Sequence, residues 1–337
     1  MEPAIGAKQE EDNAKSLLER ASGLLETDPQ QALALLTPFE NLHPDPPELA
    51  EAQFLRGCAL QNLGDQKGAL DAFEKAEADL PSELKGPIFH LRRAISSNEL
   101  QDPKNALDAL AEQTSAAFHL DDASRGILFM QKGIALLGLN DPKGALEALN
   151  TASTLVQPGL AASNCWLQTG RALDALGRSE EALKAFDRSL AEAPPGNAAA
   201  AIRILDDFQK ANLLNRLQQN QKSLEALQAA LDDFQKSNPV GLPSTFETTL
   251  LISKANLLIL LRQYDKAAAP LEQAEKGHPE LRTDVSFWVL KSNAYFYARR
   301  FEEALQSAAA GNRESSHGSG TPRSYLQRKG RSGERPS

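Results

Sequence analysis

One spacing signal recurs along the chain and constrains its fold more than any other feature. Small, aromatic and aliphatic residues return at the same offsets in successive segments. The clearest copy consists of Trp166, Gly170, Leu173, Gly177, Ala182, Phe186 and Pro194, and a second copy of Gly57, Leu60, Gly64, Ala69, Phe73, Ala76 and Pro81. Because these offsets fit two helical patterns joined by a turn, the signal predicts a repeated helix–turn–helix unit.

Both copies resemble the tetratricopeptide repeat, whose pattern W-x2-L-G-x2-Y…A-x3-F…P describes such a unit. In the numbering of that repeat, Trp166 occupies position 4, Gly170 position 8 and Phe186 position 24. The resemblance spans roughly residues 13–310 and implies an all-α fold, a right-handed superhelical solenoid of about eight units. We expect units near 13–45, 50–83, 87–118, 126–158, 163–196, 204–239, 248–280 and 285–310, a flexible N-terminus at 1–12, and a disordered basic Ser/Gly/Arg-rich tail at 311–337.

Small residues keep a register through the units. Position 20 holds Ala32, Ala69, Ala106, Ala145, Ala182, Ser223, Ala267 and Ala304, and position 8 holds Gly57, Ala94, Gly133, Gly170, Ala211, Ala255 and Ser292. Position 24 is the large residue Leu36, Phe73, Leu110, Leu149, Phe186, Leu227 and Leu271, and Ala308 in the last copy. A larger side chain at position 8 would wedge two helices apart, so the two helices of a unit are predicted to touch there.

The charge is unevenly distributed. The formal net charge of the chain is −9. Residues 312–337 contain six basic and two acidic side chains, a net of +4, which leaves −9 − 4 = −13 for the repeats. An acidic body repels phosphate backbones, so we expect no nucleic-acid partner. The basic tail could contact nucleic acid or an acidic membrane, but a short Ser/Gly/Arg segment is more often a solvated end, and this is what we predict.

The sequence gives no sign of a membrane span or a secretory leader. Its longest apolar run, Leu257 to Leu261, is far shorter than the ~20 residues that a spanning helix needs. The N-terminus is acidic and has no apolar core, so a cytoplasmic location is expected. Cys58 and Cys165 lie about three units apart, which predicts two reduced, buried thiols.

The residues that usually carry catalysis are scattered. The five histidines, His43, His90, His119, His278 and His317, form no metal-binding pair, and neither a GxxxxGK phosphate loop nor a GxSxG motif is present. Carboxylate pairs such as Asp206 and Asp207 are most simply solvated helix faces. We therefore predict no enzyme activity, no metal site and no cofactor.

The resemblance implies that first helices line a concave groove, with positions 2, 5, 6, 9, 12 and 13 facing a ligand. Side-chain amides recur on this surface, and each amide can both donate to and accept from the backbone of an extended peptide. The candidate groove residues are Gln131, Gln168 and Gln209 at position 6, Asn212, Asn256 and Asn293 at position 9, and Arg171, which with Arg92 and Arg216 could meet a carboxylate. Amides are also common on exposed helices, so chance alignment is the alternative.

Position 5 carries an apolar stripe where a carboxylate clamp for chaperone C-termini would need a basic residue. The stripe consists of Phe54, Leu91, Met130, Leu167, Phe208, Ile252 and Val289. It either packs between adjacent units or forms an apolar floor to the groove. In both cases the carboxylate clamp of the family is predicted to be absent.

The last unit is predicted to be unfinished. It begins with Trp288, Tyr295 and Phe301, but its second helix is expected to end after Gly311. Natural truncation, an altered reading frame or completion by a partner would each account for this, because stacked repeats need a polar terminal helix.

We predict a non-catalytic scaffold that binds a protein or peptide partner in the groove. The alternative is a structural or regulatory subunit that docks through its unsealed C-terminal repeat, with possible self-association there.

Overall fold

The structure is a computed structural model that describes residues 3–37, 39, 45–111, 120–237, 239 and 242–318, with side chains described between residues 14 and 313. The chain divides into two compact units, residues 1–202 and residues 203–337, with the boundary inside one helix. Each unit consists of antiparallel helix pairs joined by short turns.

The first unit contains five such pairs among its described residues. They are α1 (Pro3–Leu24) with α2 (Pro29–Leu36), α3 (Pro46–Asn62) with α4 (Gln66–Glu77), α5 (Pro87–Glu99) with α6 (Pro103–Ala111), α7 (Asp122–Gly138) with α8 (Pro142–Ser153), and α9 (Leu160–Ala175) with α10 (Ser179–Glu192). A 3₁₀ turn at Asn197–Ala199 precedes the next helix.

The second unit continues the pattern. It comprises α11 (Ala200–Arg216) with α12 (Asn220–Ser237), α13 (Thr245–Leu260) with α14 (Tyr264–Gly277), and α15 (Val285–Tyr297) with α16 (Phe301–Gly318), and a 3₁₀ turn at Pro279–Thr283 precedes α15. The described residues contain no β-strand. The all-α class and the paired-helix repeats predicted from the sequence are confirmed.

Aspartates fix where many of the helices begin. Asp28, Asp45, Asp65, Asp121 and Asp141 each precede a helix, and each carboxylate accepts a hydrogen bond from the backbone N–H three residues later at 2.8–3.0 Å. An aspartate in this place satisfies one of the free N–H groups of the first turn and places a negative charge at the positive end of the helix dipole.

The turn between the two helices of a pair has a constant backbone conformation. In seven consecutive repeats, the central residue of this turn, at repeat position 15, has a positive φ. The residues are Gly64 (87°), Gln101 (59°), Asn140 (60°), Gly177 (74°), Gln218 (59°), Arg262 (57°) and Arg299 (60°). A single left-handed residue ends one helix and reverses the chain for the next. Only two of the seven are glycine, the residue that adopts this conformation without steric cost.

The two helices of each pair meet where the sequence predicts. A Cβ added to Gly57 would lie 2.4 Å from Cε1 of Phe73, and one added to Gly170 would lie 2.4 Å from Cε1 of Phe186. The position-20 residues, Ala32 through Ala304, are buried in every repeat. The small residues therefore mark true close contacts between helices, as expected for interlocking side chains.

The apolar stripe at position 5 packs between neighbouring pairs in the first unit. Leu91, Met130 and Leu167 are buried. Leu91 belongs to a cluster with Leu128 of the following pair, and Met130 to one that includes Cys165. Of the two interpretations of the stripe, the structure favours packing between neighbouring helix pairs at these three residues.

Two boundaries differ from the predicted ones. Helix α1 begins at Pro3, within the segment expected to be flexible, because proline is preferred at a helix start and the residues after it favour helix. Helix α16 continues to Gly318 although the tail was predicted from residue 311. Gly311 is a contact point and not a break, since a Cβ there would lie 2.9 Å from Cβ of Trp288. Residues 1–2 and 319–337 lie outside the described residues.

Candidate binding surface

The predicted site residues lie on the first helices of the pairs. We call the outward faces of α3, α5, α7 and α9 in the first unit, and of α11, α13 and α15 in the second, the first-helix surface of that unit. The faces of the second helices form the second-helix surface. Gln131, Gln168 and Arg171 belong to the first unit, and Gln209, Asn212, Asn256 and Asn293 to the second.

The Gln131 amide is engaged between two repeats. Gln131 is only 8% exposed. Nδ2 of Asn98 on α5 donates to Oε1 of Gln131 at 2.8 Å and to its backbone carbonyl at 3.0 Å. Asn98 thus fastens α5 to α7, and the Gln131 side-chain oxygen is already bonded within the protein.

Gln168 belongs to a short chain of polar groups along α9. It is 7% exposed, and its Nε2 donates to Oδ1 of Asn164 at 3.0 Å. Nη1 of Arg171 donates to Oε1 of Gln168 at 2.7 Å. Arg171 remains exposed. Arg171 is thus the exposed residue of this group, and a guanidinium is able to receive a carboxylate or a carbonyl.

Sequence reasoning missed the amides at position 12. Gln61 is buried, and its Nε2 donates to the Arg92 carbonyl and to Oγ of Ser96, both at 2.8 Å. Nη1 of Arg92 donates back to Oε1 of Gln61 at 3.0 Å. Gln61 and Asn98 occupy the same repeat position, and each bonds to position 6 of the next first helix. Their recurrence 98 − 61 = 37 residues apart was a signal that could have revealed them.

In the second unit, the structure brings two of the predicted asparagines to one cavity. Asn212 on α11 and Asn256 on α13 line a depression of 120 Å³ together with Asn215 and Ser253. Asn256 is exposed, and Asn212 and Gln209 are half-buried. Three carboxamides and the Ser253 hydroxyl at one opening offer several donors and acceptors to a peptide backbone.

Asn293 lies in a different place. It lines a depression of 150 Å³ between α15 and α16, beside Trp288 and Val289. The lining of this opening is mixed, with apolar side chains beside the polar Ser292 and Asn312, and Asn293 is exposed. The structure therefore divides the predicted asparagine ladder between two separate cavities.

The two cysteines and His278, side chains of types that can act in catalysis, lie outside these cavities. Cys58 and Cys165 are free and buried, and burial raises the pKa of each thiol to about 11. Neither has the lowered pKa of an activated cysteine. The ring of His278 contacts Glu280 at 2.8 Å and the Ser244 carbonyl at 3.1 Å. Over the described part of the chain, no three His, Cys, Asp or Glu side chains converge as a metal site would require.

None of the described helices is long and apolar enough to cross a membrane.

Family comparison locates repeats in the chain itself. The tetratricopeptide repeat family matches at residues 130–203 and again at residues 50–77. These matches contain the Gly170 and Gly57 copies of the motif, and the structure shows a helix pair at each. The chain is a tetratricopeptide repeat protein. No curated protein sequence matches it.

Solved structures share the fold of this tetratricopeptide repeat protein. The apo form of RapI matches with a TM-score of 0.59 at 15% identity, covering 90% of this chain and 99% of that chain. A Rap protein complexed with competence and sporulation factor gives 0.60 at 12% identity, covering 91% and 98%. The apo form of the quorum sensor NprR from B. thuringiensis gives 0.60 at 15% identity, covering 90% and 99%. At these identities the similarity establishes a common fold.

The repeat family and its fold support a protein-binding scaffold, with protein or peptide partners. Tetratricopeptide repeat proteins generally serve as non-catalytic scaffolds. Which surface binds, and which kind of partner it binds, depends on the residues of this chain.

Proposed function

We propose that this tetratricopeptide repeat protein is a non-catalytic scaffold that binds an extended segment of a protein partner along the first-helix surface of its second unit. The observation that carries the proposal is the shared cavity of Asn212 and Asn256. Two successive first helices contribute amides to it, α11 through Asn212 and Asn215 and α13 through Asn256. An extended peptide presents alternating carbonyl and N–H groups, and a carboxamide can satisfy either.

The scaffold contributes to affinity because its binding surface is already ordered before the peptide docks. Ser223 Oγ donates to the Ala211 carbonyl at 2.7 Å, which ties α12 to α11 beneath the cavity. A rigid surface loses little conformational entropy when a partner docks, so that most of the ordering cost falls on the peptide. One solved structure of the same fold is a complex with competence and sporulation factor, and this supports a binding role.

Selected peptides can test this assignment. Twelve-residue peptides would be selected from a displayed library against the whole chain, labelled with fluorescein and titrated by fluorescence anisotropy. The double variant Asn212→Ala/Asn256→Ala should weaken binding at least about tenfold, because each lost charge-neutral hydrogen bond is worth about 1 kcal/mol. Gln235→Ala is the matched control, an exposed amide on α12 away from the cavity. Unchanged affinity in the double variant would exclude this cavity as the peptide site.

A second candidate function rests on the apolar end of the second unit. Val289 is 54% exposed, whereas Leu91, Met130 and Leu167 at the same repeat position are buried. Leu305 is 72% exposed and Phe301 is 59% exposed. We call the surface of Val289, Phe296, Phe301 and Leu305 the end face. The proposal here is a structural or regulatory subunit that docks through the end face, because exposed apolar patches of this kind mark interaction sites.

Light scattering after size-exclusion chromatography tests the end face. The whole chain is expected to associate more strongly as its concentration rises, and Val289→Ser/Leu305→Ser should shift it toward the monomer. Leu139→Ser/Leu176→Ser, which alters two exposed leucines at helix ends elsewhere, is the control. A whole chain that stays monomeric at all concentrations would leave the end face without a self-association role.

A further inference from the structure

A charged cavity lies on the second-helix surface of the first unit. It measures 390 Å³ and is bounded by α8, α9 and α10. Leu146, Trp166 and Leu173 supply apolar walls, and Arg178, Lys184 and Arg188 stand around them. Glu181 is the one carboxylate among the lining residues. The cavity is thus positively charged within a repeat body whose net charge is −13.

The carboxylate neutralises only one of the three cations by direct contact. Nε and Nη2 of Arg178 donate to the two oxygens of Glu181 at 2.7 and 2.6 Å, a bidentate pair. That hydrogen bond lowers the pKa of Glu181, so this carboxylate stays ionised and paired. The charge of Lys184 also favours the ionised form of Glu181, but neither Lys184 nor Arg188 is hydrogen-bonded to it, and these two cations give the cavity its net positive charge.

Arg188 and Lys184 present their charges to the cavity. The guanidinium carbon of Arg188 lies 4.2 Å from the centre of the Trp166 ring, a stacked cation–π contact that fixes the arginine head. Within the described part of the chain, neither Arg188 nor Lys184 forms an ion pair within 4.0 Å or a side-chain hydrogen bond. Both exposed heads retain donors for an anionic group.

The second unit contains a cavity at equivalent repeat positions, which serves as an internal comparison. That cavity measures 450 Å³ and lies between α12, α13 and α14. Leu251 takes the place of Trp166, Gln263 that of Arg178 and Gln273 that of Arg188. Its Lys254 donates to Oε1 of Gln228, and its Lys266 to Oε1 of Gln263 at 3.2 Å. The fold therefore provides the opening in both units. Its lining has a formal charge of +2 in the first, from three cations and Glu181, and of +1 in the second, from two lysines and Glu225. Among the described side chains, only in the first do two of the cations lack a side-chain hydrogen bond.

We propose that the cavity between α8, α9 and α10 is a docking site for an acidic segment of a protein partner. A carboxylate of the segment meets Arg188 and Lys184, and an adjacent leucine-like side chain enters between Leu146, Trp166 and Leu173. The site is distinct from the first-helix surface and does not depend on the function proposed for that surface. An isolated carboxylate suits the cavity better than a nucleic acid, since a long phosphate backbone would extend over the acidic surface of the other repeats.

Tryptophan fluorescence gives a direct test, because Trp166 lines the cavity. The chain has two tryptophans, so Trp288→Phe leaves Trp166 as the reporter. The probe is an eight-residue peptide with two glutamates between two leucines and Gly-Ser ends. Its neutral counterpart carries glutamine in place of glutamate. A thymidine oligonucleotide of ten nucleotides forms the third arm. Isothermal titration calorimetry of the same samples checks the affinities.

The glutamate peptide is expected to change Trp166 emission saturably at low salt. Binding should fall at least about tenfold with the glutamine peptide, in ~0.5 M NaCl, and in Lys184→Gln/Arg188→Gln. The matched control Lys254→Gln/Lys266→Gln, in the equivalent cavity of the second unit, should keep the parent affinity. Far-ultraviolet circular dichroism checks that each variant is folded.

Four outcomes would overturn the proposal. They are the absence of saturable binding by the glutamate peptide up to ~5 mM, equal affinity for the glutamine peptide, undiminished binding by Lys184→Gln/Arg188→Gln, and tighter binding of the oligonucleotide than of the glutamate peptide. The last result would assign the cavity to a nucleic acid.

Discussion

At the scale of single residues, the contact between Gly170 and Phe186 limits the size of the side chain that α9 can have at residue 170. The Cβ of an alanine at residue 170 would lie 2.4 Å from Cε1 and 2.6 Å from Cδ1 of the Phe186 ring. Phe186 is buried and cannot move into solvent. The overlap must be relieved by moving α9 away from α10, which loosens contacts along both helices.

Gly170→Ala is therefore expected to destabilise the protein by about 1–3 kcal/mol, although alanine favours helix over glycine by about 1 kcal/mol. Urea unfolding followed by circular dichroism measures the change. Gly23→Ala is the control, because a Cβ at this glycine meets nothing within 4 Å. It should be neutral or stabilising. The double variant Gly170→Ala/Phe186→Leu should recover part of the loss, and no recovery would place the strain elsewhere.

Residue types indicate chemistry less reliably than they indicate packing. Gln131 and Gln168 were predicted to face a ligand from their helical periodicity, but the structure shows both amides in hydrogen bonds with Asn98, Asn164 and Arg171. Periodicity gives the face of one helix. It does not give the distance to the next repeat, and that distance decides whether an amide bonds to a neighbour or stays open to solvent.

At the scale of elements, the turns between paired helices combine a constant conformation with variable residues. Gln218 and Arg262 have φ values of 59° and 57°, where Gly64 and Gly177 hold the equivalent position. Both side chains are exposed, and neither makes a side-chain hydrogen bond in the described residues. A Cβ in this conformation costs roughly 1–2 kcal/mol through contact with the following carbonyl oxygen.

Gln218→Gly and Arg262→Gly are each expected to stabilise the protein by about 0.5–1 kcal/mol, since the relief of strain exceeds the added entropy of glycine in the unfolded chain. The reverse change, Gly177→Ala, should destabilise it by a similar amount. Thermal unfolding by differential scanning calorimetry compares the three with the parent. If all three left the transition unchanged, strain at this turn could not be part of the stability of the repeat.

The helices were predictable because their signals are local, and their ends were less so. Trp166, Gly170 and Phe186 lie within one unit and are enough to define a helix pair. Gly311 has the sequence of a helix break, yet α16 passes through it because Trp288 of α15 lies against it. The cationic cavity also escaped prediction. Leu146 on α8, Trp166 on α9 and Arg188 on α10 meet only when consecutive repeats stack.

At the scale of the whole molecule, stability is expected to vary along the chain. In a repeat protein each unit gains stability from its neighbours, so a unit with one uncovered face is less stable than an internal one. Trp166 lies in an internal repeat, whereas Trp288 lies in the last described helix pair, in which Val289 and Leu305 are exposed. The two tryptophans thus report on repeats with different amounts of buried apolar surface.

Urea unfolding of two single-tryptophan variants measures this difference. The Trp288 signal, followed in Trp166→Phe, should change at a urea concentration at least about 0.5 M lower than the Trp166 signal, followed in Trp288→Phe. Circular dichroism of both variants should give similar midpoints, which controls for the substitutions themselves. Coincident fluorescence and circular dichroism transitions would mean that the described repeats unfold as one cooperative body.

The close contact between positions 8 and 24 also bears on how such a chain can change over generations. The residue pairs are Gly57 with Phe73, Gly170 with Phe186, Gly133 with Leu149, Ala94 with Leu110, Ala211 with Leu227, Ala255 with Leu271, and Ser292 with Ala308. The phenylalanines stand opposite glycine and never opposite alanine. Neither member of a pair can change size alone without overlap or a cavity. Because both members lie within one unit, gene duplication copies a compatible pair intact, whereas point mutation must alter two codons to produce another.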